Sequence, residues 1–511
     1  MNRERPLFRL ALVCVATFMV YLDTSITPVA VPAIRADLHA GVTAAQWLLD
    51  AYTLGFAGLL LTAGSLGDRF GRKAVLLAGT AGFSACSVAC ALAPNPPALI
   101  AARAGQGVFA AAVVPLSLAV TSALFADARQ RSRAIGVWGG TAGVALALGP
   151  LVGGLLVQTA GWESLFWINL PIGATALAGL AWSLEGQRRC DHGSVASPEA
   201  VVPGALPGTG QTVPGGGDAG RVPTRRVDAV GQLLFILGTG ALTVVMIEGG
   251  GYGWHSPMTV GLACASIVAL AFFALWELRC RQPMLPPRLL RIPAVAVACA
   301  VNFLGLFGLY AVLFLLTLYL QDSLHLSPLE TGVRFLALTG FLGIGAVSAA
   351  GVVRRLGTRT TMVLGLLLVT LGLGGLTLVE TGNGYFSYGW ALVLIGVGIP
   401  LSSGVVAIQA MMAAVPADLA GTAAGTMNTF RQFGAVFGVA LAGLLSPQRS
   451  NIVTSMYRTF TVAAAGALAG AMLTAIVLRE RRARAAETTP AGAGHTPERI
   501  IPFVRMRNSP R

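Results

Sequence analysis

Three ionisable side chains lie inside apolar stretches, where a charge is energetically costly. Asp23, Asp50 and Arg103 occupy the first, second and fourth apolar stretches of the chain. If each stretch is an α-helix, the three side chains lie about 8 to 10 Å below the same end of the helices. An ionisable group so deep in a membrane costs about 3 kcal/mol or more unless it faces a cavity or a partner. The pattern therefore predicts that these charges interact and bind a proton or a cation.

Two of these residues also have simpler interpretations. Asp23 could serve only to join helices by hydrogen bonds, and Asp50 could lie exposed at the membrane surface. All five histidines lie outside the apolar stretches, so proton binding would depend on carboxylates. We expect Asp23 to be the main proton-coupling residue, with Arg103 as its partner and Asp50 as a second candidate.

Composition indicates what must position these side chains. Of the 511 residues, 55% are hydrophobic and 11% are charged, whereas soluble proteins carry about 25% charged residues. Since about 20 apolar residues in a helix span the hydrocarbon core, we predict an all-α integral membrane protein with 14 transmembrane helices. The predicted spans are 10–31, 45–66, 74–93, 97–121, 134–158, 165–185, 229–248, 257–278, 293–320, 329–353, 361–380, 388–413, 421–445 and 458–478.

The basic residues are distributed unevenly over the two sides of these spans. The net charge is +14, which suggests nucleic-acid binding, but most of the 35 Lys and Arg residues fall in segments on one side. This asymmetry marks the cytoplasmic side. We therefore predict a multi-pass protein of the bacterial plasma membrane that has both termini in the cytoplasm and binds no nucleic acid. The exceptions are Arg103, Arg334 and Arg431 within helices, and Arg35, Arg449 and Arg458 on the other side.

The sequence offers little support for a catalytic or metal centre. Most of the seven cysteines lie in apolar spans, where they resemble small packing residues, and none has zinc-ligand spacing. No Cys/His, Ser/His or paired-acid arrangement suits an integral-membrane enzyme. We therefore expect a protein that is not an enzyme and needs neither a metal nor a cofactor. A non-transporting receptor or sensor is a further alternative, but it would need a folded signalling domain.

A short charged turn joins the second and third predicted helices. Its pattern, Gly-x-Leu-x-Asp-Arg-x-Gly-Arg-Lys, resembles the loop between helices 2 and 3 of the major facilitator superfamily at every defining position. A positive-inside anchor is the simpler interpretation of a basic loop. The resemblance implies a conformational latch whose partner lies near Gly421. The residues of this predicted latch are Gly64, Gly67, Asp68, Arg69, Gly71, Arg72 and Lys73.

The turn recurs once in the chain, at residues 354–359, as Arg-bulky-Gly-x-basic. Two parallel bundles with an internal repeat are typical of such transporters. The polar segment between the bundles is rich in Gly and Pro and cannot bury a core. The predicted organisation is a six-helix bundle (1–185), a disordered cytoplasmic linker (186–228), two inserted helices (229–292), a second six-helix bundle (293–478) and a disordered cytoplasmic tail (479–511).

Helix 5 carries glycines four residues apart and a proline, which permit close packing and bending in a membrane. Close packing alone would explain the spacing. Its Gly-Pro-x-x-Gly-Gly ending, however, resembles the signature of antiporters within this superfamily. The repeat predicts a counterpart in helix 13, with Gly421, Gly425, Gly434 and Gly438. The predicted hinge comprises Gly139, Gly143, Gly149, Pro150, Gly153 and Gly154.

Several motifs together resemble those of the 14-helix drug:proton antiporters. These are Leu-Asp-Thr-Ser-Ile-Thr-Pro at residues 22–28, Leu-x-x-x-Arg-x-x-Gln-Gly at 99–107 and a Trp-to-Gly pattern at 162–173. Pro28 stands where that family has Asn, which leaves the substrate open. The resemblance implies a proton-driven exporter of small-molecule drugs or antibiotics that works as a monomer in the lipid bilayer. A dedicated exporter of one metabolite or self-made antibiotic is the alternative.

Overall fold

The computed structural model describes residues 4–125, 127–188, 228–280, 283–380, 384–416, 419–445 and 451–487. Every regular element in these ranges is helical, as predicted, and one π-helical turn (Tyr319–Ser323) extends α11. The α-helices are α1 (Glu4–Asp37), α2 (Val42–Phe70), α3 (Arg72–Ala91), α4 (Pro96–Ala123), α5 (Ala128–Ala160), α6 (Ser164–Trp167), α7 (Asn169–Arg188), α8 (Ala229–Tyr252), α9 (Pro257–Arg279), α10 (Pro287–Leu290), α11 (Pro293–Leu318), α12 (Pro328–Leu356), α13 (Thr358–Leu376), α14 (Phe386–Ser402), α15 (Val405–Met412), α16 (Ala420–Leu444) and α17 (Ile452–Glu487).

Twelve helical segments among the described residues are long and apolar enough to cross a membrane. Three of these segments combine neighbouring elements: α6 with α7, α11 with the π turn, and α14 with α15. Helices α2 and α16, with 29 and 25 residues, are also long enough to span a bilayer. The membrane-spanning helical fold is therefore confirmed, and the total of fourteen spans remains a prediction.

Helices α8 and α9 form a pair between the two bundles in sequence. α8 packs against α2 and α16, and α9 packs against α8. Two predicted boundaries need correction, because α7 continues to Arg188 and α17 continues to Glu487. The Arg- and Ala-rich sequence at the end of α17 has high helix propensity. Most of the predicted linker and tail lies outside the described residues.

The predicted repeat has a matching backbone geometry. Gly71 joins α2 to α3, and Gly357 joins α12 to α13, each as a single residue between two helices. Their φ angles are 91° and 79°, a region that L side chains rarely occupy. Glycine is thus required at the same turn in both halves of the chain.

The bundles are closed against each other at one end. A Cβ atom added to Gly154 on α5 would collide with the carbonyl oxygen of Pro328, and one added to Gly332 on α12 would collide with that of Pro150. The Arg35 guanidinium also lies 2.8 Å from the Asp322 carboxylate. We call the α5–α12 crossing at Gly154 and Gly332 the glycine seam, and this end of the molecule the closed end.

One predicted helix is broken. The span predicted over residues 388–413 divides into α14 and α15 at Ser403 and Gly404, where Gly404 has a φ of 59°. The Gly404 N–H donates to Asn302 Oδ1 on α11 at 3.1 Å. A polar side chain from a neighbouring helix thus satisfies a backbone group that the break leaves without a helical partner.

Candidate functional site

Asp23 and Arg103 form an ion pair inside the first bundle. Asp23 lies on α1 and Arg103 lies on α4, and their side chains are 0% and 1% exposed. The distance from Arg103 Nη1 to Asp23 Oδ2 is 2.6 Å. The predicted partnership of these residues is therefore present in the structure. Burial makes the pairing necessary, because removal of one partner would leave a buried charge uncompensated.

Two amides complete the coordination of the Asp23 carboxylate. Gln106 Nε2 donates to Asp23 Oδ1 at 3.0 Å, and Asn169 Nδ2 donates to the same oxygen at 2.8 Å. Gln106 lies one helical turn after Arg103 and also accepts from its Nη1 at 2.8 Å. Asn169 begins α7 and donates to Ser87 Oγ at 3.0 Å. Three donors on one carboxylate suit its ionised form.

The Arg103 guanidinium is held on its remaining sides as well. Its Nε donates to the carbonyl oxygen of Leu48 at 3.3 Å. Its carbon lies 4.3 Å from the centre of the Tyr52 ring and 5.8 Å from that of Phe166. These cation–π contacts stabilise a cation that water cannot reach. We call Asp23, Arg103, Gln106 and Asn169 the buried polar cluster.

Asp50 does not join this cluster. It is fully buried, and neither carboxylate oxygen has a hydrogen-bond partner among the described residues. The exposed position considered for Asp50 is therefore wrong. One turn earlier on α2, Gln46 donates to the carbonyl oxygen of Val439 on α16 at 3.1 Å. Asp50 thus lies on the face of α2 that meets the second bundle.

A cavity of about 720 Å³ opens between the two bundles, and its size is typical of small-molecule sites. Most of its lining is apolar. It reaches Gly64, Arg72 and Thr422 at the end opposite the closed end. The buried polar cluster does not line it, although Tyr21 of α1, two residues before Asp23, does. The polar or aromatic lining residues further inside include Trp138, Asn302, Ser403, Asn428 and Arg431.

The predicted hinge of α5 divides into two parts. Gly139 and Gly143 have no atom within 4 Å of an added Cβ position, and both line the cavity. A Cβ at Gly149 would collide with Ser25, and one at Gly153 would lie 2.9 Å from the carbonyl oxygen of Ile26. Close packing on α1 therefore holds only for the half of α5 near the closed end.

The predicted counterpart on α16 divides in the same way. Gly425 lines the cavity, whereas a Cβ at Gly434 or Gly438 would collide with the carbonyl oxygens of Phe303 or Phe307 on α11. The surroundings of Gly421 lie outside the described part of the structure. The two halves of the chain thus use equivalent helices for the cavity and for the packing.

The predicted latch is described only in part. Gly64 and Arg72 line the cavity, and an added Cβ at Gly67 would collide with Leu116 of α4. Arg69 lies 5.3 Å from the centre of the Phe70 ring. The side chain of Asp68 lies outside the described part, so its role in the latch stays a prediction.

Sequence reasoning did not assign roles to several residues at these sites. Gln106 and Asn169 were seen only as members of motifs, although each is a lone amide in an apolar stretch. Asn302 is likewise a lone amide in an apolar stretch of the other half of the chain, and Arg431 is a lone charge in one. Within the described ranges no group of three His, Cys, Asp or Glu residues could hold a metal ion.

These features define a class of protein: a membrane-embedded carrier with a cavity between two helical bundles. The family model of the Major Facilitator Superfamily matches residues 13–439. The chain belongs to the Major Facilitator Superfamily, and it is a membrane transporter, not an enzyme.

The relatives of known function are resistance and export proteins. The tetracenomycin C resistance and export protein of Streptomyces glaucescens is 34% identical over 449 residues, which cover 88% of this chain and 77% of that protein. The multidrug resistance protein Stp of Mycobacterium tuberculosis is 34% identical over 447 residues, with coverages of 87% and 76%. The puromycin resistance protein pur8 of Streptomyces alboniger is 33% identical over 509 residues, with coverages of 96% and 94%.

Solved structures share the fold at low identity. A D-xylose-proton symporter has a TM-score of 0.61 at 14% identity and covers 92% of this chain and 97% of its own. The POT family transporter PepTSo has a TM-score of 0.63 at 15% identity, with coverages of 95% and 99%. These likenesses establish the fold alone.

Proposed function

We propose that this protein exports hydrophobic or amphipathic antibiotics across the bacterial plasma membrane in exchange for protons. Its cavity has the size and the apolar lining that such compounds require, and its relatives are antibiotic and multidrug resistance proteins. The arginine asymmetry supports an orientation in which the open end of the cavity faces the cytoplasm. The structure would then be the inward-open state, closed to the outside at the glycine seam.

The observation that carries the proton coupling is the buried polar cluster. Asp23 accepts three hydrogen bonds and is sealed from the cavity and from solvent. An ionised Asp23 paired with Arg103 fits this inward-open state. Exchange requires a second state in which the closed end opens, water reaches Asp23 and the pair separates. A proton taken up there would be released when the bundles close again, since the pair re-forms.

Asn169 provides an acceptor for the protonated state. Its Oδ1 is buried and has no hydrogen-bond partner among the described residues. Rotation of the amide would present this oxygen to a protonated Asp23, whose O–H needs an acceptor. The cluster therefore contains the groups that both protonation states of Asp23 require.

The test is substrate-induced proton release from purified protein in weakly buffered detergent solution. The wild-type protein should release protons when an exported compound is added, and Asp23→Asn should release none because its amide cannot titrate. Binding of a neutral compound should survive in this variant. Asp37→Asn is the matched control, since Asp37 lies on the same helix and accepts from Trp162 Nε1 at 2.9 Å. It should behave like the wild type.

Proton release by Asp23→Asn at the wild-type level would refute the assignment of Asp23. The buried Asp50 would then be the next carboxylate to test. Arg103→Ala should also lose transport, because it leaves the Asp23 carboxylate buried without its cation.

A dedicated exporter is the second candidate, and the names of the relatives favour it. Several are resistance proteins for one antibiotic, among them tetracenomycin C, puromycin and methylenomycin A. Resistance of a pump-deleted host that expresses this protein, measured against a panel of unrelated antibiotics, separates the two. Protection against one chemical family alone would identify a dedicated exporter.

A further inference from the structure

One cation in the cavity has no anionic partner among the residues that the structure describes. Arg431 lies 11 residues after the start of α16, about 16 Å along the helix axis. Its side chain is partly buried and lines the cavity. Among the described residues it makes no ion pair and no hydrogen bond. The two ion pairs between described residues join Arg103 to Asp23 and Arg35 to Asp322.

The carboxylates near the cavity are engaged elsewhere. Asp23 is sealed within the buried polar cluster. Asp228 is the acidic residue among the described lining residues, and it accepts from Trp276 Nε1 at 2.9 Å and from the Gly231 N–H at 2.9 Å. Arg431 is thus a cation of the lining, about 16 Å along α16, that has no carboxylate partner among the described residues.

The other residues around Arg431 suit a molecule that has one polar end and an apolar body. Asn428 lies three residues earlier on α16 and also lines the cavity, so the two side chains share a helix face. Tyr310 of α11 lies within electrostatic range of Arg431 and also of Asp23 and Arg103. A guanidinium in an apolar cavity is exposed to little screening, so an anionic group there is strongly attracted and a cation is repelled.

We infer that the cavity selects amphipathic anions, and that Arg431 binds their carboxylate, phenolate or sulfonate group. The inference rests on the proposed export function and names its substrate class. Planar delocalised guanidinium groups bind such oxyanions through paired hydrogen bonds. The apolar remainder of the cavity would take the hydrophobic body of the molecule. Export of hydrophobic cations is then disfavoured by the same charge.

Two xanthene dyes of similar size and opposite charge provide the test: fluorescein as the anion and rhodamine 123 as the cation. Binding to purified full-length protein in detergent is followed by fluorescence anisotropy at mildly alkaline pH, where fluorescein is ionised. The wild-type protein should bind fluorescein about tenfold or more tightly than rhodamine 123. Arg431→Ala should reduce this preference to about twofold or less, and Arg431→Lys should retain part of it.

Arg431→Glu makes the test independent of a simple loss of folding. This variant should reverse the preference and bind rhodamine 123 more tightly than fluorescein. The matched control is Arg458→Ala, which removes an exposed arginine of α17 outside the cavity lining and should leave both affinities unchanged. An equal affinity of the wild-type protein for the two dyes, a preference for rhodamine 123, or no binding of either dye would overturn the inference.

Failure of this inference and failure of the export function give different results. Dye binding at equilibrium needs no proton gradient and no completed transport cycle. Wild-type antibiotic resistance in cells that carry Arg431→Ala, together with unchanged dye preference, would reject the anion site and leave the exporter intact. If hosts that express the wild-type protein gain no antibiotic resistance while the purified protein still prefers fluorescein, the export function is rejected and the anion site remains.

Discussion

Two buried carboxylates of the first bundle have opposite environments. Asp23 accepts hydrogen bonds from Arg103, Gln106 and Asn169, whereas Asp50 has no hydrogen-bond partner among the described residues. A buried charge is tolerated when it is paired and fully hydrogen-bonded, and it is costly when it is not. Loss of the Asp23 carboxylate should therefore be costly, whereas loss of the Asp50 carboxyl should not be.

The two residues should therefore respond differently to neutralisation. Asp23→Asn leaves the Arg103 charge uncompensated and places an amide N–H₂ among donors. We therefore expect the free energy of unfolding to fall by about 3 to 5 kcal/mol. Asp50→Asn replaces a carboxyl group that has no hydrogen-bond partner among the described residues with an amide of the same size, so the free energy of unfolding should change little. Thermal unfolding of the purified variants in one detergent measures both changes. A fall in Tm for Asp50→Asn as large as that for Asp23→Asn would contradict the contrast.

The sequence could predict the pairing of Asp23 with Arg103, because two charges at one depth of a membrane need each other. It could not separate Asp50 from them. Depth along a helix follows from residue count, but the face that a side chain presents depends on helix rotation and crossing. Asp50 shares the depth of the pair, yet its helix turns it towards α16. Asn169 was hidden for the same reason, since its contact with Asp23 depends on how α7 meets α1.

Helices α5 and α16 are each divided into a half that lines the cavity and a half that packs tightly. Gly143 and Gly425 belong to the first kind, and Gly153 and Gly438 belong to the second. Small residues let helices approach closely only where a neighbour is present. Gly153 packs on α1 and Gly438 packs on α11, each within its own bundle. These tight halves should therefore move with their bundles, and the glycine seam is the contact that parts when the closed end opens.

Gly154→Val tests the glycine seam. A valine there cannot fit against the carbonyl oxygen of Pro328, so the bundles should separate at the closed end and transport should fall severely. Leu92 on the first bundle and Phe386 on the second are both exposed. Spin labels at these two positions should lie farther apart in the variant, as measured by double electron–electron resonance. Gly143→Val is the control for the distance alone, because a Cβ there has no atom within 4 Å, whereas its position in the cavity lining excludes it as a control for transport. An unchanged distance in Gly154→Val would rule out the seam as the closing contact.

At the scale of elements the sequence predicted the helices well and missed one interruption. Hydropathy detects a span by its length and composition, and residues 388–413 are mostly apolar and carry no charged side chain. The break at Ser403 and Gly404 depends on the positive φ of Gly404 and on the hydrogen bond that its N–H donates to Asn302, 102 residues earlier. The sequence alone does not show which backbone conformation a glycine in an apolar stretch adopts.

At the scale of the whole molecule, the repeat relates the two bundles and constrains their orientation. The turns at Gly71 and Gly357 lie in equivalent positions, and each is flanked by basic residues. A parallel repeat places both turns on the same side of the membrane, where the positive-inside rule expects them. If the number of spans is even, as the predicted fourteen would be, both termini lie on that side as well.

Reporter fusions test this topology. Fusions at Gly210 and after residue 487 should both report the cytoplasm, and a fusion at Ser256, between α8 and α9, should report the outside. Alkaline phosphatase and green fluorescent protein give complementary signals for the two sides. Opposite locations for Gly210 and the C-terminal fusion would exclude fourteen spans.

The guanidinium of Arg431, which makes no ion pair among the described residues, has an electrical consequence if it binds an exported anion. If one proton enters for each monoanion that leaves, both carry current in the same direction, and each cycle would move two elementary charges down the membrane voltage. Each charge is worth about 2.3 kcal/mol per 100 mV, and the voltage alone would then supply about 5 kcal/mol per cycle at 100 mV. A pump built in this way keeps working when the outside of the cell is no more acidic than the inside.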